Sequence, residues 1–433
     1  MFNKILAPIF SGSPLTKYAS LLIVLMVITW LPLEGRVGFG IIKLGCLISG
    51  VIVLLIWAFA FSRAMFMGVL YVGWQLFVAS LHPATFRFST IGFSIGLVFT
   101  YVCFYNLLYE RHVFTVRRFI MLLRWIMMAF FVFCILQQIC LAVGITIMPA
   151  VNLIQVFDRG IGCNSLSMEP STFARTMLVC YYAYLKCTEY VRGDGPWSFK
   201  DLFNVEHRWV TIRFLWMMCT MGSGTAFVCL IALSLYFVRK NNWYYMLPIL
   251  IGMYVFVLPE IEDKQLQRAT NTIDATTTLN QEEVQETDGS AGSRISPMLN
   301  SLSVDLTDPD TWFGHGIDYT VNNNMIIEQT ATLFDDYGLI FYIISLVFDF
   351  TCAYRFWSLG CVFMFMGIAG GAGTNIHYTW TLMMIMTGIR YFYDNRFDLD
   401  LSDDEEDEDE EEDTEEEIEN AEYARKLEAA VQS

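Results

Sequence analysis

Charge is what this chain has least of. Asp, Glu, Lys and Arg make up 16% of its 433 residues, against about 25% in an ordinary soluble domain. It also lacks any CxxC spacing and any Cys/His cluster, although it holds eleven Cys. Ten of those lie in or beside apolar runs, where Cys packs as a small hydrophobe; Cys163 alone falls in a connecting loop. That spacing indicates neither a zinc site nor a disulfide framework, and no metal or other cofactor is expected. No cleavable leader is expected either. The first apolar run begins near Tyr18, and no small-residue cleavage pattern follows it.

What is present is apolar and continuous. Hydrophobic residues reach 55% and aromatics 15%, with mean hydropathy +0.45. They come as long runs, such as those starting at Gly38 and Phe119, rather than in alternation. Runs of about 18 or more apolar residues read as membrane-spanning helices. The formal charge of -17 is concentrated at one terminus. From Asp398 onward there are 19 Asp+Glu against 2 Lys+Arg, and the remainder is balanced at 25 of each sign. Such a block repels itself and cannot bury a core. Residues 398–433 are therefore expected to form a solvated, disordered tail, and nucleic acid is not an expected partner.

The runs predict an all-α polytopic membrane protein of about twelve spans within residues 1–397. They start near Tyr18, Gly38, Met65, Phe88, Phe119, Ser171, Trp209, Thr225, Trp243, Tyr337, Phe356 and Tyr378. Lys and Arg crowd the short loops on one side, for example Arg111, Arg117, Arg118, Arg192 and Lys200. That side is read as cytoplasmic, which puts both termini there. Two large connections then face outward, about 145–170 and about 259–332. Loops of that length are usually functional or disordered.

Several segments could carry chemistry. In "DRGIGCNSLSMEPSTFARTMLV", Pro170 suits the first turn of a helix, and Glu169 then lies against its positive end. A capped helix start explains this pair structurally; a carboxylate available as a base, or to orient one, is the functional reading. Arg159 precedes it. Arg175 lies inside the helix, where a charge needs a polar cavity or a partner; an Arg175–Glu169 ion pair would meet that need. "GSGT" fits either close helix packing or a substrate cavity. Arg294 is a scarce cation in the larger loop, suited to phosphate oxygens. "WFGHGIDY" brackets His315 with glycines, as a candidate base or an ordinary turn. "DDYGLI" places Asp335 and Asp336 before a span and Gly338 at its entry.

Taken in order, these motifs resemble those of the O-antigen and capsular polysaccharide polymerases of the Wzy-dependent pathway, relatives of the O-antigen ligases. The likeness runs by motif from Ile145 to about Phe350. It implies a GT-C-like, O-antigen ligase-like membrane domain. It implies a metal-independent glycosyltransferase that polymerises undecaprenyl-diphosphate-linked repeat units at the outer face of the bacterial inner membrane. A chain-length co-polymerase, a flippase and membrane lipids are the partners it implies. Developing diphosphate charge calls for cations, and an acceptor hydroxyl calls for a base. On this resemblance Arg159, Arg294 and, secondly, Arg175 would contact diphosphate or glycan, while Glu169 would act as base or position the acceptor. The His that ligases carry before the re-entry glycine has no counterpart in "MIIEQ", which favours polymerase over ligase. A ligase acting on lipid A-core or protein, and a transporter or flippase of lipid-linked sugars, are the alternatives.

Overall fold

The structure is a computed structural model. It describes residues 10–28, 41–145, 162–167, 169–193, 197–198, 200–221, 223–238, 305–319, 329–363 and 377–395. Arg159, Arg294, the expected span at Trp243, the acidic tail and most of both large loops lie outside the described residues.

Among the described residues the secondary structure is entirely helical. In chain order the helices are α1 Pro14–Val27, α2 Ile41–Ile56, α3 Arg63–Leu81, α4 Phe88–Tyr109, α5 Val116–Ala142, α6 Pro170–Arg192, α7 Arg208–Thr220, α8 Gly224–Ser234, α9 Pro309–Phe313, α10 Gln329–Cys352, α11 Leu359–Phe363 and α12 His377–Asp394. Hydroxyl residues start several of them. The side chains of Ser13, Ser62 and Thr115 accept from the amides of Thr16, Met65 and Arg118, each at 3.2 Å, which satisfies donors the first turn would otherwise leave open.

Three of these helices, α3, α4 and α5, are long and apolar enough to cross a membrane, and α1, α2 and α8 are shorter apolar helices. Large apolar side chains such as Leu55, Phe66, Val69, Phe77 and Val132 are exposed along them. Apolar surface on this scale belongs against lipid, so the chain is a helical membrane protein. Where spans are expected at Tyr337 and Phe356, the helices differ in extent. The former begins at Gln329 and is broken at Gly338, while the latter is described only as Leu359–Phe363.

Close approach between helices rests on small residues. A Cβ on Gly68 would meet Val98 at 2.9 Å, and one on Gly388 would meet the Phe119 ring at 2.5 Å. The centre is aromatic. Tyr71 of α3, Tyr101 of α4, Phe348 of α10 and Trp380 of α12 meet edge-on or tilted at 5.5–6.0 Å between centroids. Helix ends inside the bundle are completed by cations from neighbours. Lys43, fully buried on α2, donates to the Leu25 and Met26 carbonyls at the end of α1. Arg390 of α12 donates to the Phe350 and Tyr354 carbonyls at the end of α10.

Candidate functional site

Four pieces of chain lie at the end of the bundle where α4 and α6 begin and α5 ends. The first is the 162–167 segment leading into α6. The Gln137 carboxamide grips it in both directions: Nε2 donates to the Ser165 carbonyl at 3.1 Å, and the Ser165 amide donates to Oε1 at 2.8 Å. The Ser165 hydroxyl donates to the Phe130 carbonyl at 2.7 Å. Ser165 takes a positive φ of 48° to do so, an uncommon conformation for a non-glycine residue.

This latch fixes the start of α6. Glu169 caps it with extended backbone and makes no side-chain cap bond. Its carboxylate is exposed and accepts from Ser171 Oγ at 3.1 Å, near the positive end of the helix. Arg175, half-buried, instead donates from Nη1 to Tyr378 Oη on α12 at 3.2 Å. The Arg175–Glu169 ion pair considered from the sequence is thus not formed, and the carboxylate remains open to solvent at the bundle end.

The second and third pieces are the glycine motifs, which lock into one another. His315 and Gly316 donate their amides to the Asp335 and Asp336 carbonyls at 2.9 and 3.0 Å. Gly314 and Gly338 both have positive φ, 76° and 82°. A Cβ on Gly314 would strike the Asp336 carbonyl, and one on Gly338 would strike the Trp312 carbonyl. Each glycine is therefore required by the other strand's backbone. Trp74 of α3 donates to the Tyr337 carbonyl at 3.2 Å and stacks on Phe313, seating the clasp on the bundle.

The clasp presents His315. Its Nδ1 lies 3.1 Å from the Asp335 carbonyl; a carbonyl only accepts, so Nδ1 carries the proton. In the tautomer with the proton on Nδ1, Nε2 is the accepting nitrogen. It points toward the Asp310 carboxylate at 3.9 Å, and the ring stacks on Tyr319 at 4.5 Å. Burial pushes the Asp335 carboxyl above its ordinary range, with His315 opposing that shift.

The fourth piece is the α3–α4 connection. Buried Asp318 accepts from Thr90 Oγ1 at 2.8 Å and lies 3.3 Å from the Arg87 guanidinium. Asp318, Thr90 and Gln137 were not singled out from the sequence. Gln137 had a visible signal, a polar pair inside the apolar run of α5. Asp318 had only its place beside the His315 motif.

Glu169, Arg175 and His315 thus share one end of the bundle, on separate supports. Glu169 and His315 do not touch each other. The arrangement offers an open carboxylate at a helix start, a guanidinium behind it and an imidazole with its accepting nitrogen outward, a set suited to proton transfer and anion binding. The chain matches no known family model, no curated protein and no solved structure.

Proposed function

We propose that this protein is a polysaccharide polymerase of the bacterial inner membrane. It transfers a growing glycan from undecaprenyl diphosphate to the sugar of a new lipid-linked repeat unit. The architecture proposed with it is about twelve spans in a GT-C-like arrangement, with both termini cytoplasmic and the Glu169 end facing outward. A chain-length co-polymerase and a flippase are its proposed partners. The observation that carries the reading is the ordered motif set, "MEPSTFA", "GSGT", "FGHG" and "DDYGLI", two members of which interlock while a third opens α6 at the same bundle end. Glu169 or His315 Nε2 would take the acceptor proton. Arg159, Arg294 and Arg175 would meet the leaving diphosphate. Transfer to lipid A-core or protein is the ligase variant of the same chemistry.

A flippase reading is favoured by one observation. Asp349 of α10 is fully buried, and neither carboxylate oxygen has a hydrogen-bond partner among the described residues. Ionisable groups inside a membrane mark ion or substrate pathways.

One experiment separates the readings. The purified protein is placed in proteoliposomes with synthetic undecaprenyl-diphosphate-linked repeat units. A polymerase yields a ladder of chain lengths, which Glu169→Gln and Arg294→Ala each reduce at least ~100-fold, the scale of losing a general base or a group that stabilises developing anionic charge. Units that cross the bilayer without being joined would identify a flippase. A ladder undiminished in both variants would overturn the site assignment.

A further inference from the structure

We infer that Cys134 and Cys163 form a disulfide in the native protein, stapling the segment before Glu169 to α5. Their Sγ atoms stand 3.3 Å apart, and both side chains are buried, at 0% and 1% exposure. That separation is inside ordinary sulfur–sulfur contact and short of a covalent bond of about 2.05 Å. The two residues are 29 positions apart, so no sequence motif announces them. Among the described residues no third His, Cys, Asp or Glu joins them, which sets the pair apart from the four-ligand sets that hold structural zinc.

The surroundings hold both sulfurs in register. Gln138 Nε2 lies 3.5 Å from the Cys134 sulfur and 4.0 Å from that of Cys163. One turn away, Gln137 fixes Ser165 through two backbone hydrogen bonds. Bond formation therefore asks for a small closing movement of two side chains rather than a rearrangement of the loop.

The location matters as much as the distance. Cys134 lies in the last third of α5, at the bundle end where the described residues hold Arg87 and Arg175. Arg111, Arg118, Arg355 and Arg390 gather at the opposite end. Cations collect on the cytoplasmic side, so the cysteine pair faces the oxidising compartment, where disulfides persist. The chemistry is thiol–disulfide exchange. One cysteine thiolate attacks the disulfide of an oxidant, a thiol oxidoreductase or oxidised glutathione, and releases one of its sulfurs as a thiolate. The second cysteine thiolate attacks the mixed disulfide and releases the other. The protein loses two protons and two electrons, and the oxidant becomes a dithiol or two thiols. Because both sulfurs are buried once the segment is docked, exchange occurs during folding, before Gln137 closes on Ser165. This inference needs no polymerase chemistry, but it rests on the outward orientation of this bundle end proposed above.

The test is a peptide map of the full chain. Membranes are quenched with N-ethylmaleimide before solubilisation, and digests are compared with and without reductant. The expected result is a Cys134–Cys163 linked pair that separates on reduction, while Cys103 and Cys180 are recovered as thiols. A melting midpoint that falls on reduction is expected alongside it, with Cys163→Ala and Cys134→Ser both insensitive to reductant. Recovery of Cys134 and Cys163 as alkylated thiols from untreated membranes overturns the inference, whatever a stronger oxidant can later achieve. The map on the unaltered protein gives that answer even where a variant fails to fold.

Discussion

His207 shows how one side chain can set a pH limit on this protein. It precedes α7 and is buried with its ring edge-on to Trp197, 4.4 Å between centroids, and its Nδ1 against the Tyr184 hydroxyl. Burial pushes its pKa below 6.5, with Glu206 pulling the other way. The folded protein thus keeps the ring neutral at pH values where the unfolded chain would bind a proton. Stability is full above the unfolded value and falls as pH drops through about 6.5 toward the lowered one. Melting curves across that window should show the loss, and His207→Gln should flatten it. A wild-type midpoint that does not move with pH there would rule the assignment out. Glu169 is the contrasting residue: its carboxylate is exposed and, among the described residues, has no cationic partner.

Among the elements, the clasp between the 305–319 segment and the start of α10 depends most on particular residues. Gly338 interrupts α10 with φ 82° and ψ 173°, and Gly314 matches it with φ 76° and ψ 175°. Backbone of this kind is essentially reserved for glycine, and a side chain there costs roughly 1–3 kcal/mol before any clash with the facing carbonyl. Gly338→Ala should therefore lower the melting midpoint by several degrees, and Gly314→Ala should do the same. Because each clashes with the other's strand, the double variant should lose less than the sum of the two, as contacting sites do. Full additivity would mean the two turns are not interlocked. α6 is a different kind of element. It carries Arg175, Lys186 and Glu189 along with buried Tyr181, Tyr182 and Tyr184; Lys186 pairs with Glu189 within the helix, Tyr236 also donates to Glu189, and Arg175 donates to Tyr378.

At the scale of the whole molecule, the asymmetry of charge is the organising fact. One end of the bundle gathers Arg118 against Ser11, Arg390 against Asp394 and Lys186 against Glu189. The other holds Glu169, Arg175, the Arg87–Asp318 pair and the His315 clasp. If the cationic end is cytoplasmic, a green fluorescent reporter fused after Ser433 should be bright and a phosphatase fused there inactive. The reverse pattern would invert the orientation, and would move the cysteine pair to a reducing compartment and the candidate site to the cytoplasmic face.

The membrane class and the helical fold were legible in the sequence because apolar runs answer to lipid locally, with no need of tertiary contacts. Described helix starts follow the expected ones within a few residues at Phe88, Ser171, Trp209, Thr225 and Tyr378, and at Ser171 the local signal is Pro170, suited to a first turn. The motifs were legible as motifs. Only the tertiary structure decided what they do to one another. It set Gly314 against Gly338, turned Arg175 from Glu169 to Tyr378, and oriented His315 by a carbonyl twenty residues away. It also brought Cys134 to Cys163 and left Asp349 buried without a hydrogen bond among the described residues. Those outcomes depend on which helix faces pack together across long stretches of chain, and a run of apolar residues is nearly the same on every face.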